Sequence, residues 1–110
     1  MGKLLVCRGL PASGKTTFAR NWVKEDPDHR VRVNRDDLRV TAFCKPHGVD
    51  ERLITEFQHS MIRAALRCGF DVISDDTNLN SKFVKNLLKI AAEFGAEVEW
   101  HDEFLQVPIG

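Results

Sequence analysis

Three groups of residues in this chain have the types and spacing that phosphoryl chemistry requires: Gly9-Leu10-Pro11-Ala12-Ser13-Gly14-Lys15-Thr16, Arg35-Asp36-Asp37-Leu38-Arg39 and Asp75-Asp76-Thr77-Asn78. The first reads GxxxxGK[ST]. An apolar run, Leu4 to Cys7, precedes it and a helix-like stretch, Thr17 to Lys24, follows; this context separates a phosphate-binding loop from a chance string match. A strand that turns through glycines into a helix leaves the first helical N–H groups unpaired, and these donors with the positive helix end cradle phosphate oxygens. The residues expected to hold a nucleotide are Gly9, Ala12, Ser13, Gly14, Lys15, Thr16 and Thr17. Lys15 would reach the outer phosphates of a bound NTP such as ATP, and the Thr16 hydroxyl would ligate Mg²⁺. The plainer alternative is an ordinary strand–turn–helix corner with a surface lysine.

The two acidic clusters fall where strands are expected to end, and ligands of parallel sheets bind outside those carboxyl ends. Beside a phosphate loop, one carboxylate can accept a proton from an attacking hydroxyl and another can hold Mg²⁺ or its waters. Neighbouring arginines can orient an anionic acceptor or neutralise charge developing on the transferred group. Each aspartate also has a structural alternative: a helix N-cap for Asp36 or Asp37, a turn carboxylate for Asp75 or Asp76. Their convergence beside the loop favours chemistry.

Positioning these clusters takes an alternation of strands and helices. A strand over about Lys3 to Arg8 is followed by the loop and a helix with Phe18, Ala19, Trp22 and Val23 on its apolar side, stopped at Asp26-Pro27-Asp28. Val31 to Val33 reads as a second strand and Leu38 to Phe43 as a short helix, broken at Lys45-Pro46-His47-Gly48. The next helix presents Leu53, Ile54, Phe57, Met61, Ala64, Ala65 and Cys68 as one apolar stripe, closed by Gly69. A third strand at Phe70 to Ile73 precedes a helix capped by Asn80 or Ser81, with Phe83, Val84, Leu87, Leu88, Ala91 and Phe94 on its buried side. Gly95 ends that helix, and Ala96 to Phe104 reads as a fourth strand with Val98 and Trp100 sharing a face. The order predicts an α/β fold of P-loop kinase type, a three-layer sandwich with a parallel sheet of about four strands and right-handed crossovers.

The 110 residues suit one domain, and Lys+Arg and Asp+Glu are both 16, so no global basic field points to a protein that coats nucleic acid by charge. A local basic groove gripping one strand end remains compatible with that balance, and Arg8, Arg35 and Lys45 near strand ends are its candidates. Three cysteines without CxxC spacing argue against a disulfide framework or zinc site and for a cytoplasmic protein, with Cys7 a small core residue. No stretch has the length of a membrane span. His29, His47, His59 and His101 share no metal-ligand spacing, Trp22 and Trp100 fall on expected buried faces, and Arg63 and Arg67 read as solvated charges.

Taken together, the loop Gly9 to Thr16, Asn34-Arg35-Asp36-Asp37-Leu38-Arg39 and Asp76-Thr77-Asn78-Leu79-Asn80 resemble the 5′-hydroxyl polynucleotide kinase domain of phage polynucleotide kinase-phosphatase, and the likeness extends into Phe94 to Glu99. The resemblance implies transfer of the γ-phosphate of an NTP, with Mg²⁺, to the 5′-OH end of DNA or RNA, as in nucleic acid end repair. It implies that Lys15 contacts the outer phosphates, Thr16 ligates the metal, Asp36 is the general base, Arg39 holds the acceptor nucleotide's phosphate and Asp76 organises the acceptor side. Asp75 stands where that family has a small or hydroxyl residue, which leaves open whether Asp75 or Asp76 acts. The family's arginine-bearing lid and its phosphatase domain have no counterpart here, so residues 1–110 are expected to be a single P-loop kinase domain without either. A kinase of the same fold acting on a small molecule and an NTP-binding module without efficient catalysis are the competing expectations. Oligomeric state, acceptor type and donor preference are not written in these motifs.

Overall fold

Leu4, Leu5, Val6 and Cys7 are all buried, and the two-residue period of a strand divides them between opposite faces, so the first strand must be covered on both sides. The computed structural model describes residues 2–10, 13–45 and 47–105, and there the first strand is β1 (Lys3–Cys7). It is followed by α1 (Lys15–Glu25), β2 (Arg30–Val33), α2 (Arg35–Phe43), α3 (Glu51–Arg67), β3 (Asp71–Ser74), α4 (Ser81–Glu93), β4 (Glu97–His101) and a 3₁₀ turn over Glu103–Leu105. The sheet has four strands in the order β2-β3-β1-β4, every pairing parallel. Pro11, Ala12 and Pro46 of the expectations above lie outside the described residues.

Chain order and strand order together dictate the layers. From β1 the chain steps past β3 to β2, then reverses direction to reach β3 and β4. With right-handed crossovers, that reversal puts α1 on one face and α3 and α4 on the other. The core divides accordingly. Leu5, Cys7, Ile73 and Ala19 pack with Phe18, Trp22 and Val23 of α1 on one side. Leu4, Val6, Val33 and Val72 pack against Ile62 and Leu66 of α3 and Leu87, Ile90 and Ala91 of α4 on the other. The expected three-layer α/β architecture is the observed one.

Several local expectations are corrected. Helix α2 begins at Arg35, not Leu38, because Asn34 caps it by accepting a bond from the Asp37 N–H; neither Asp36 nor Asp37 is the cap. The buried stripe of α3 is Ile54, Gln58, Ile62 and Leu66, while Leu53, Phe57 and Met61 are exposed. Phe83 on α4 is exposed, and its buried face is carried by Leu87, Ile90 and Ala91. Trp100 is also exposed, because β4 is an edge strand whose side chains are covered on one flank only. Arg63 is paired with Glu93 at 3.1 Å and Arg67 lies over Phe94, so both tie α3 to the α4 end instead of standing free in solvent. Cys7 is fully buried, and burial pushes its thiol up to about 12, an inert core residue as expected. No helix among the described residues is long and apolar enough to cross a membrane.

Candidate active site

The phosphate loop is pinned at its entry from both flanks. The Arg8 N–H donates to the carbonyl of His101, the last residue of β4, and the Gly9 N–H donates to the Thr77 carbonyl beyond β3, each at 3.0 Å. The Asn78 side-chain amide donates to the Cys7 carbonyl at 2.6 Å, and Asn78 takes a left-handed φ of 51° to do so. A Cβ on Gly9 would meet the Phe104 carbonyl oxygen at 2.4 Å, so the close approach of the segment after β4 requires glycine here. Gly14 has φ 97° and leads into α1.

The four helices differ at their starts. Asn34, Asp50 and Asn80 cap α2, α3 and α4 with side-chain acceptors, whereas α1 has no side-chain cap among the described residues and no acidic residue in its first turn. Its first N–H groups are therefore left for another acceptor. Beside them lies a hollow of about 280 Å³ lined by Gly14, Lys15, Thr16 and Thr17. The Ser13 hydroxyl is buried without a hydrogen-bond partner among the described residues, and the buried Lys15 donates its Nζ to the Leu10 carbonyl at 2.9 Å. A donor-rich hollow with a buried ammonium and an orphan hydroxyl fits a polyphosphate. The Thr16 hydroxyl, on the exposed first turn of α1, suits a hard divalent cation.

Lys15 and Thr16 also line a second, larger cavity of about 490 Å³, whose other walls include Asp36, Arg39, Asp75, Asp76 and Thr77. The three sequence clusters thus meet at one site, as their placement at strand ends predicts. Asp36 and Asp76, however, occupy different environments. Asp36 is at the exposed rim and accepts a bond from Arg39 Nη1 at 2.5 Å. The remaining guanidinium nitrogens of Arg39 bind the Glu51 carboxylate, which Arg39 holds below the usual glutamate range. Asp76 lies deeper. Its Oδ1 accepts from the Arg35 N–H at 2.9 Å and its Oδ2 from Gln58 Nε2 at 3.0 Å. Those bonds favour the ionised form, yet burial, with the charges of Asp75 and Asp36, pushes Asp76 up to about 6.

Asp75 is a structural neighbour. It is 1% exposed and accepts from Arg32 Nε at 2.7 Å and from Asn34 Nδ2 at 2.8 Å, which ties β2 and the cap of α2 to the end of β3. Its oxygens are committed to those donors.

Sequence reasoning missed Glu51, Gln58 and, as a cavity-lining residue, Phe83. Gln58 had a signal. It interrupts the apolar series Ile54, Ile62, Leu66 at helical spacing, and a buried amide needs partners; it has them in Arg35 Nη1, which donates to its Oε1 at 3.0 Å, and in Asp76. Arg35 is itself buried, donating also to Thr55 at 3.0 Å and lying over the Phe83 ring. Of the other basic candidates, Arg8 is near Asp102 and Trp100, and neither it nor Lys45 lines the cavity.

Comparison with known proteins agrees with this geometry. A polynucleotide kinase/RNA ligase of Autographa californica nuclear polyhedrosis virus, described as putative and bifunctional, is 31% identical over 105 residues, covering 82% of this chain and 14% of that protein. The L-seryl-tRNA(Sec) kinase of Methanococcus maripaludis is 28% identical over 108 residues, covering 96% of this chain and 42% of that one. A chain in the structure of a Pnkp1/Rnl/Hen1 complex superposes with a TM-score of 0.83 at 32% identity, over 97% of this chain and 36% of the other. The chain thus spans less than half the length of each of these relatives. The profile of the AAA domain family matches residues 4–104, nearly the whole sheet and both helical layers, and the chain belongs to that family.

Proposed function

We propose that this domain transfers the γ-phosphate of an NTP, ATP being the expected donor, to the 5′-OH end of a DNA or RNA strand. The observation that carries the reading is the single cavity in which Lys15 and Thr16 of the phosphate loop face Asp36, Arg39 and Asp76. The relatives at 31% and 32% identity, a polynucleotide kinase/RNA ligase and a chain of the Pnkp1/Rnl/Hen1 complex, support the same acceptor class.

In this reading the loop amides and Lys15 hold the donor phosphates. Mg²⁺ held through the Thr16 hydroxyl would neutralise charge on them. The acceptor enters from the α2 side. Asp36 takes the proton of the 5′-OH as its oxygen bonds to the γ-phosphorus, and the bond from that phosphorus to the β-bridging oxygen breaks to release NDP. Asp76, fixed by the Arg35 N–H and Gln58, orients the acceptor sugar. Arg39 exchanges a carboxylate for the acceptor's phosphate. Residues 1–110 act as one domain in this scheme.

Labelled γ-phosphate should pass to a 5′-OH oligonucleotide and not to its 5′-phosphorylated counterpart. Asp36→Asn should lower transfer by about 10²-fold or more while leaving ATP affinity intact. Full activity in that variant would remove Asp36 as the base. Measurable Mg-ATP binding with no oligonucleotide labelled would leave an NTP-binding module or a kinase of another hydroxyl.

A further inference from the structure

The large cavity is lined by charged and by apolar side chains. Of the large hydrophobic side chains exposed among the described residues, only Leu79 (49% exposed) and Phe83 (39%) line it, with the buried Leu87 also in its wall. Phe83 sits on the first turn of α4, where the Asn80 side chain accepts its N–H at 3.3 Å. The Arg35 guanidinium lies 5.1 Å from the ring centroid, and that guanidinium is held by Thr55 and Gln58. The aromatic ring is therefore presented by a capped helix and a fixed cation, and it lines the same cavity as the carboxylates.

We propose that Phe83, with Leu79 beside it, is the stacking platform for the nucleobase of the acceptor's 5′-terminal nucleotide. This rests on the acceptor reading above. A terminal nucleotide combines what the lining offers partners for, a hydroxyl and phosphate with a flat apolar face, and its hydroxyl must reach Asp36 in that same space. The donor's base is the competing occupant, but the hollow beside the phosphate loop is lined by Gly14 to Thr17 and does not include Phe83.

The platform also reads no base edge. Phe83 and Leu79 carry no hydrogen-bonding group, and of the four amide side chains lining the cavity Asn34 and Gln58 are engaged at both oxygen and nitrogen, Asn78 donates to the Cys7 carbonyl and the Asn80 oxygen accepts from the start of α4. Stacking without edge contacts tolerates every base, because every base has a π-face.

The test compares wild type, Phe83→Ala and Phe83→Trp on two 5′-OH oligonucleotides, one ordinary and one abasic at the 5′-terminal position. Phe83→Ala should raise the KM of the ordinary acceptor about 5- to 100-fold. It should leave the KM of the abasic acceptor and of the NTP unchanged, and Phe83→Trp should restore wild-type values. The ordinary acceptor's KM should vary by less than about 5-fold among the four terminal bases, less than one stacked base contributes. Equal losses on both acceptors would reduce Phe83 to a structural role, and a raised NTP KM would assign the ring to the donor; either overturns the proposal. If wild type phosphorylates neither oligonucleotide, the transfer reading falls by itself. Fluorescence anisotropy with the same two oligonucleotides then decides the platform: a base-dependent affinity lost in Phe83→Ala supports it, and no base dependence overturns it.

Discussion

Asp75 and Asp76 are adjacent in the chain but meet opposite demands. Arg32 lies between two valines in β2 and needs a buried counter-charge; Asp75 supplies it, while Asp76 accepts from the Arg35 N–H and Gln58. The sequence pattern held that clue, an arginine between two valines in β2, but pairing it with Asp75 requires the parallel register that sets Arg32 opposite Ile73 and Val33 opposite Ser74. Asp76 then yields a pH prediction. In the folded protein it keeps its proton up to about pH 6, and in the unfolded chain it releases it near pH 4, about the model-peptide value. Between those limits the folded state binds more protons than the unfolded state, so this residue's contribution to stability falls as pH rises through the window. The full effect at neutral pH is on the order of 2–3 kcal/mol of destabilisation. Asp50, Glu51 and Glu93 act in the opposite sense, since Arg52, Arg39 and Arg63 hold them below their ordinary values and their contribution is lost as pH falls. Comparing wild type with Asp76→Asn isolates the residue. Asparagine offers one acceptor where the carboxylate offers two, a loss that does not vary with pH. Urea denaturation should show wild type losing stability relative to the variant between about pH 4 and pH 6.5. A difference that stays constant across that range would show that Asp76 titrates as an ordinary carboxylate.

At the level of elements, the existence and order of strands and helices were legible because the apolar periods and glycine stops are strong local signals. Which flank of each helix is buried was less so. On α3 the stripe Leu53, Phe57, Met61 and the stripe Ile54, Gln58, Ile62, Leu66 both repeat at helical spacing, and the second carries a polar residue. Periodicity favours the first stripe; the sheet takes the second, because Gln58 has buried partners in Arg35 and Asp76. The same tertiary override left Phe83 facing the cavity and Trp100 on an edge strand. Two adjacent residues test the assignment. Ile62 is fully buried in the core of β1, α3 and α4, and Met61 is 40% exposed. Ile62→Ala should cost about 2–5 kcal/mol through lost burial and the cavity it leaves. Met61→Ala should stay within about 0.5 kcal/mol. Chemical denaturation of the two variants reads both, and similar losses would mean that α3 is rotated from the orientation described.

For the molecule as a whole, the reversal of chain direction after β2 explains why the three clusters converge. It brings the ends of β1, β2 and β3 side by side, with β3 between the other two, and each cluster follows one of those ends. This much follows from strand order and crossover handedness, which is why the convergence of the three clusters was readable before their geometry. The charge distribution is the other global property. Lys+Arg and Asp+Glu balance at 16 each, and among the arginines lining the large cavity, the Arg39 guanidinium is tied to Asp36 and Glu51, and that of Arg35 to Thr55, Gln58 and Glu51. A protein so balanced cannot follow a strand by charge over many phosphates. In the proposed function it would neutralise one or two, at Arg39 and its surroundings, with stacking and the 5′-OH contacts supplying the remainder. For single strands log affinity falls with log salt at a slope of about −0.7 per neutralised phosphate, so the expected slope is about −0.7 to −1.4. The KM for a 5′-OH oligonucleotide, measured from 50 to 300 mM salt, should rise with that shallow slope and change little when the acceptor is lengthened beyond a few nucleotides. A slope steeper than about −3 would correspond to four or more phosphates, and would place an extended basic track on a surface other than the cavity described here.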